Sequence, residues 1–409
     1  MSRLLPLWIA VCSASLPAPA PAQQPLTEPE AVARLSLESP RARAVRAEVD
    51  LARADALAAG RLPNPRLTVS RESVAGVAED FWLVSQALPL TGRRGLQIAR
   101  ASEQVRAAEL RGDEVFRRLR ADVRRAFVDL SVEEAREREL GGALEALQSL
   151  ADVLERREKA GDAAGFDRLR AEREALDVAA TLGDTRARRA RAQGMLASFY
   201  FPTPDPATLH AAPLVVDHPP LPGADDLVVR AEGSRGDLLA RDRDIEAARF
   251  AGRAAVRSRV PEPEVVAGLK TSDVGDDRRR GPVLSLLATV PLFDRGRPER
   301  ARALAEERLA TAERDALRAG IGATVRSLRQ AAQERRTTLD AYRRVSVPKS
   351  DELRRIAQVS YDAGERGILE LLDAYRSAAD ARLRLLELDA AAAHADIDLE
   401  RAAAAEIRK

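Results

Sequence analysis

SQALPLTGRRG at residues 85–95 and ATVPLFDRGRP at residues 288–298 decide how this chain is read. Each is an apolar run closed by Pro-Leu and followed within a few residues by glycine and arginine, and Pro89 and Pro291 stand 202 positions apart. A phrase repeated at such a distance tests for internal duplication, which has to be settled before any element is assigned. Upstream, EVDLARADALAAGRLPNPRLTV aligns with DIEAARFAGRAAVRSRVPEPEVVA, with Val49 matching Ile245 and Arg53 matching Arg249. Pro63 and Pro65 of LPNP become Pro261 and Pro263 of VPEP. Downstream, KAGDAAGFDRLRAE from Lys159 resembles DAGERGILELLDAYR from Asp362. The order of elements is the same in both halves, so the chain reads as a duplicated unit.

Within each unit the pattern gives helix, β-hairpin and a long helical hairpin. Thr27 with Glu30 forms a capping box that opens a helix running to about Gly60, where the LPNP prolines end it. Two extended segments follow, about 66–74 and 81–88, around the turn AGVAED. Leu67 and Val69 alternate with Thr68 and Ser70, and Trp82 and Val84 with Phe81, Leu83 and Ser85. The second unit repeats this at about 264–272 and 283–290 around the charged turn DVGDDRRRG. Such segments have the length of either an ordinary soluble hairpin or tilted membrane strands of about 9–11 residues. The apolar positions Leu119, Val123, Ala126 and Leu130, and later Ile321, Val325, Leu328 and Ala332, step by three and four, the seam of a coiled coil. Long helices are expected over about 95–159 and 166–196, and again over about 299–345 and 351–408. Their far-end turns are AGDAAG (Gly161) and DAGERG (Gly364), where glycine supplies left-handed backbone.

The repeated phrase then marks where a strand stops and a long helix starts. Proline closes the strand because it cannot donate to a ladder, and Gly92 or Gly296 permits the bend. The arginines beside it suit a charged boundary such as lipid headgroups. Two hairpins supply four strands, and an open four-stranded sheet facing lipid leaves unsatisfied edges that several copies would close. The domain reading is residues 1–22 as a secretory signal, 23–200 as the first repeat, 201–223 as a proline-rich linker and 224–409 as the second repeat. The leader has Arg3, an apolar run too short and proline-broken to span, and Ala20-Pro21-Ala22 before Gln23. Cys12 is the single cysteine, and Ala10-Val11 before it makes a poor lipidation signal, so the mature chain is read as thiol-free.

Aromatics at 3% and charged residues at 32%, dominated by Arg and Glu among abundant Ala and Leu, indicate long helices. With 66 basic and 64 acidic residues interspersed, nothing points to nucleic acid. His210, His218 and His394 are the only histidines; two lie in the linker and none has metal-ligand spacing. No nucleophile elbow, P-loop or dinucleotide fingerprint is present, so no enzyme activity, cofactor or metal centre is expected.

On the duplication, the leader, LPNP, LPLTGRRG and above all YDAGERGILELLDAYRSAADAR at 361–382, the chain resembles the outer-membrane efflux factor family, the TolC-like proteins. Its hairpin entry is most similar to the heavy-metal efflux subgroup, the CzcC- and CusC-like proteins. The resemblance implies a mainly α fold with a β-barrel: a homotrimer with a 12-stranded outer-membrane barrel continued by a periplasmic α-helical barrel. It implies a passive exit duct of a tripartite system that docks to a periplasmic adaptor and an inner-membrane pump of the RND type, with heavy-metal cations as one candidate cargo. It carries pore-entrance carboxylates onto Glu370 and Asp373, and a gating network onto Asp167, Tyr361 and Arg366, with an Arg366–Asp167 link holding the inner hairpin against the outer one. The first carboxylate is Glu where the best-known pattern has Asp. Rings of carboxylates in a narrow pore favour cations. Read without the resemblance, charges at these spacings are what any solvated long helix carries. The alternatives are a soluble periplasmic coiled-coil scaffold or adaptor, or the outer-membrane component of type I secretion.

Overall fold

The computed structural model describes residues 24–160, 165–214, 218–274 and 277–407. The leader at 1–22 and the turn glycine Gly161 lie outside the described residues. The elements are α1 (Glu28–Ala33), α2 (Pro40–Ala59), β1 (Arg66–Val74), β2 (Val77–Ala87), α3 (Arg93–Ala160) and α4 (Gly165–Ala197), then α5 (Ala224–Ser234), α6 (Gly236–Arg257), β3 (Pro263–Val274), β4 (Asp277–Ala288), α7 (Arg297–Ala341), α8 (Val347–Asp362) and α9 (Ile368–Ala403). The molecule is mainly helical with one small antiparallel sheet in the order β1-β2-β3-β4. At 1.5 Å per residue, the 68 residues of α3 extend over about 100 Å.

The two copies of the Pro-Leu phrase have the same local geometry. The Leu90 N–H donates to the Leu88 carbonyl at 2.9 Å, and the Leu292 N–H donates to the Val290 carbonyl at 2.9 Å. Each is a γ-turn centred on the proline, a turn suited to a strand end. Gly92 (φ 73°) and Gly296 (φ 69°) then take left-handed backbone. Between them and the prolines, the Thr91 hydroxyl accepts from the Arg93 N–H at 3.3 Å, and the Asp294 carboxylate accepts from the Gly296 N–H at 3.0 Å. The likeness reaches the ion pairs. Arg53 on α2 bridges Asp50 and, on α3, Glu109 at 2.8 Å; Arg249 on α6 bridges Glu246 and, on α7, Glu307 at 3.0 Å.

Four expectations need correction. The capping box forms, with the Thr27 N–H donating to the Glu30 carboxylate at 2.8 Å, but the helix stops after Ala33. A new helix starts at Pro40 with Ser39 as its cap, because proline is favoured in a first turn and cannot continue an existing helix. The hairpin turns are shorter than the polar runs suggested. Ala75 (φ 52°) and Gly76 (φ 84°) form the whole β1–β2 turn, so Val77–Asp80 are strand; likewise Asp277–Gly281 belong to β4. The polar run carries strand because its charges pair across the ladder, as Lys270–Glu79 at 2.7 Å does. Finally, Val345–Asp351 is no break between helices. A π-helical turn at Tyr342–Ser346 leads directly into α8. The wider turn relieves the clash that the Pro348 ring would make with the carbonyl four residues back. The break comes at Ala363–Gly367.

Of the seam positions, Val123, Ala126, Leu130, Ile321, Val325 and Ala332 are buried, and Leu119 and Leu328 are partly buried. One core gathers α1, α3, the end of α4 and part of α9; another gathers α5–α7 and the end of α9. The proline-rich stretch at 201–223 is more than a tether. Leu209 and Ala211 are buried, and the Gln193 amide donates to the Leu209 carbonyl at 2.9 Å. Leu26 and Ala211 form a parallel bridge. His218 contacts Asp396 at 3.0 Å, and Asp396 also binds Arg336 of α7 at 2.8 Å.

Candidate functional site

Two regions carry chemistry: the sheet at one end of the chain's long axis and the helical tips at the other. In the sheet, residues directly opposite on paired strands share a face. One face therefore presents Val69, Trp82, Leu269 and Pro282 in one row, and Leu67, Val84, Ala267 and Leu284 in the next. Val265 and Leu286 continue it. The large side chains of these rows, Leu67, Val69, Trp82, Val84, Leu269, Leu284 and Leu286, are exposed in the single chain. The opposite face is mixed: Thr68, Ser70, Ser85, Lys270 and Ser285 lie among Leu83, Val266, Val283 and Leu287, with the Lys270 ammonium 5.1 Å from the centre of the Phe81 ring. A contiguous exposed apolar face of this size is unusual for a soluble monomer. β1 and β4 are the unpaired edges of the sheet. Among the described residues, no helix is long and apolar enough to cross a membrane.

At the tips, α3 and α4 pack against α8 and α9 around Leu147, Leu150, Leu154, Ala171, Leu371 and Leu372. α9 starts at Ile368 with Gly367 as its N-cap, and Ile368, Leu371, Leu372 and Ala374 turn inward. Glu370 and Asp373, one turn apart, therefore fall on the opposite, exposed face, continued by Ser377 and Asp380. Glu370 sits in the first helical turn, where the exposed N–H groups favour an anion.

The loop before α9 is held by a Schellman arrangement. The Glu365 N–H donates to the Ser360 carbonyl at 2.9 Å and the Gly364 N–H to the Tyr361 carbonyl at 3.0 Å, with Gly364 at φ 74°. Nothing lies near the position a Cβ would occupy at Gly364, so the demand for glycine there is purely conformational. Gly364→Ala is expected to destabilise this tip by about 1 kcal/mol, read as faster amide exchange at residues 363–368, while Gly364→Asn loses less. Equal exchange in all three forms would contradict the assignment.

Of the candidate gating residues, Tyr361 lies near Asp167. Partial burial raises its phenol above the ordinary range; Asp167 pushes the same way and Arg157, 5.8 Å from the ring centre, opposes it. Arg366 is exposed, and among the described residues no ion pair joins it to Asp167 within the chain. The contacts that tie the two hairpins together are others. Arg376 on α9 grips Glu174 on α4 with two N–H groups, one at 2.9 Å, and this hydrogen bonding raises the Arg376 pKa further. Within the second hairpin itself, the Tyr375 hydroxyl of α9 donates to Gln358 of α8 at 3.0 Å, and Gln358 donates to Asp362. Arg376 closes the LELLDAYR motif, so the sequence showed the residue; its partner 202 positions away was visible only through the fold. Among the described residues, no cluster of three His, Cys, Asp or Glu side chains is placed to hold a metal ion.

No protein-family model matches the chain, and no curated protein matches it by sequence. Solved structures match it over almost its full length. The outer membrane protein VceC from Vibrio cholerae superposes with a TM-score of 0.76 at 16% identity, over 93% of this chain and 97% of that one. CusC, described as forming a transmembrane channel, gives 0.76 at 16% identity over 93% and 92%. The open state of the Neisseria gonorrhoeae MtrE outer membrane channel gives 0.75 at 17% identity over 92% and 89%. The chain thus has the fold of these outer-membrane channels.

Proposed function

We propose that the protein is a passive exit duct in the outer membrane, one component of a tripartite efflux system. The observation that carries this reading is the four-stranded sheet with one exposed apolar face and two unpaired edges. Backbone groups at such edges are not tolerated in lipid, and joining β4 of one copy to β1 of the next removes them. Three copies give 12 strands, an even-numbered barrel of the bacterial type. The strands, 9–12 residues long, suffice to cross a bilayer when tilted. The long helices then extend the barrel into the periplasm, where the tips meet an adaptor and, through it, an inner-membrane pump of the RND type that supplies the energy. The duct does no chemistry. CusC fits no better than VceC, so the heavy-metal subgroup rests on the LPNP entry alone.

Threefold symmetry turns Glu370 and Asp373 into two acidic rings at the entrance, which select cations, heavy-metal ions among them. Because Arg366 and Asp167 do not pair within one chain, the gating link that this reading requires joins neighbouring copies. Conductance in a planar bilayer tests both. Glu370→Ala/Asp373→Ala is expected to move the reversal potential in a salt gradient well toward zero, and Asp167→Ala or Arg366→Ala to raise conductance. An unchanged reversal potential removes the carboxylates from the filter; unchanged conductance in both single variants removes the link from the gate.

A further inference from the structure

Along the helices many arginines are tied to carboxylates, as Arg124 is to Glu28 and Glu400 and Arg168 to Glu158 and Glu172, while others, such as Arg118, Arg120 and Arg138, stand without an ion pair among the described residues. The junction between sheet and helices concentrates such arginines. Its four crossings, residues 60–66, 88–95, 257–263 and 289–300, hold nine arginines against three carboxylates, a net of +6 in a chain whose total is +2. Two of those carboxylates are already engaged: Glu262 accepts from the Thr91 hydroxyl at 2.7 Å and Asp294 from the Gly296 N–H at 3.0 Å. Arg94 binds the Gly60 carbonyl, and Arg66 lies on the mixed face of the sheet. Arg61, Arg93, Arg257, Arg259, Arg295 and Arg297 have no ion pair among the described residues, and all except the half-buried Arg93 are exposed.

Large apolar side chains share the same crossings. Leu62, Leu90, Val290 and Leu292 are exposed, and Phe293 is 98% exposed. A basic surface facing water alone gains nothing from an uncovered phenylalanine and four aliphatic neighbours. Paired cations and apolar groups at one level are the signature of a membrane interface, where rings and aliphatic chains enter the acyl boundary and guanidinium groups stay among the headgroups. The collar also continues the apolar face, since Leu284, Leu286 and Ala288 lead directly to Val290.

We propose that this collar binds the phosphate-bearing headgroups of anionic phospholipids in the leaflet on the helical side of the membrane. The inference rests on the reading that the sheet lies in a bilayer. Guanidinium groups meet phosphate oxygens bidentately, and the charge the chain leaves unpaired here is what such headgroups neutralise.

The test uses the full chain in phosphatidylcholine vesicles containing a minor fraction of phosphatidylglycerol, with retained lipids counted by native mass spectrometry. The wild type is expected to retain phosphatidylglycerol at about threefold or more above its bulk fraction. Arg257→Gln/Arg259→Gln/Arg295→Gln/Arg297→Gln is expected to lose the enrichment while still floating with pure phosphatidylcholine vesicles. Arg278→Gln/Arg279→Gln/Arg280→Gln, which removes charge at the far hairpin turn, is expected to keep it, and so is the wild type in inorganic phosphate at matched ionic strength. Three results would overturn the proposal: no enrichment in the wild type, enrichment surviving in the quadruple variant, or equal loss in the distant control. Displacement by inorganic phosphate would assign the arginines to a free anion instead, and overturns it too. A wild type that fails to float would overturn the membrane reading itself, and the collar with it.

Discussion

The variant Leu269→Arg/Leu284→Arg is expected to lose membrane insertion altogether, while Ser285→Arg inserts and assembles as the wild type does. Leu269 and Leu284 lie on adjacent strands in successive rows of the exposed apolar face, and Ser285 lies on the opposite, mixed face. Arginine on the lipid side of a barrel near the bilayer centre costs about 2–4 kcal/mol, whereas a substitution facing the lumen costs little. Two such costs consume much of a folding margin of about 5–15 kcal/mol. The sign of the effect carries the argument. Were the hairpins soluble, the same two arginines would break up an exposed apolar patch and leave folding unchanged or improved. Vesicle flotation and protease resistance of the three proteins separate the cases, and a double variant that inserts as well as wild type would contradict the assignment of this face to lipid.

Asp396→Ala is expected to destabilise the chain by about 3–5 kcal/mol, because it strands a buried cation. Asp396 is 0% exposed and Arg336 only 5%. The Arg336 guanidinium binds one carboxylate oxygen at 2.8–2.9 Å, His218 contacts the other at 3.0 Å, and Arg336 also donates to the Pro219 carbonyl. Three separate segments thus meet at one carboxylate: α7, α9 and the proline-rich stretch. Removing both charges at once, as Asp396→Leu/Arg336→Met, restores most of the loss, since apolar replacement of a buried pair is often neutral. Chemical denaturation measures the ranking, and limited proteolysis between residues 201 and 223 reports whether the stretch has come loose. Equal stability of the single and double variants would mean that the pair does not behave as a buried unit.

Much of this architecture was legible because it is written in local periodicity. The seam from Leu119 to Leu130 and its counterpart from Ile321 to Ala332 follow the spacing that buries one helix face; Val123, Ala126, Leu130, Ile321, Val325 and Ala332 are buried, and Leu119 and Leu328 are partly buried. The strand segments beginning at Arg66 and near Pro263 follow alternation and proline punctuation. What failed depended on pairing between distant residues. The charged turn around Asp277–Arg280 looked like loop because its polarity was judged alone, whereas Arg278 faces Asp273 across the ladder. Pro348 looked like a helix end because the π-helical turn that accommodates it leaves no signature in composition. The proline-rich stretch looked like a tether because its partners, Gln193, Glu134 and Asp396, sit on helices far along the chain. At the tip, the motif exposed Glu370, Asp373 and Tyr361, yet Arg157 and the Arg376–Glu174 clamp required the helices to be placed side by side. The arginines beside the two Pro-Leu phrases were legible, but the size of the excess across all four crossings was not, for the opposite reason. Charges that are interspersed along the whole chain become segregated only when four short crossings are brought to one level.

The measurement that bears most directly on the duct is the native mass of the detergent-extracted protein, taken from separated outer and inner membranes. The predicted result is a trimer from the outer-membrane fraction, each chain lacking residues 1–22, which would close the open edges of β1 and β4 in a 12-stranded barrel. A monomer or dimer released with the soluble periplasmic fraction would contradict it. The exposed sheet face would then need a different partner, and the repeated Pro-Leu phrase would mark helix starts in a scaffold.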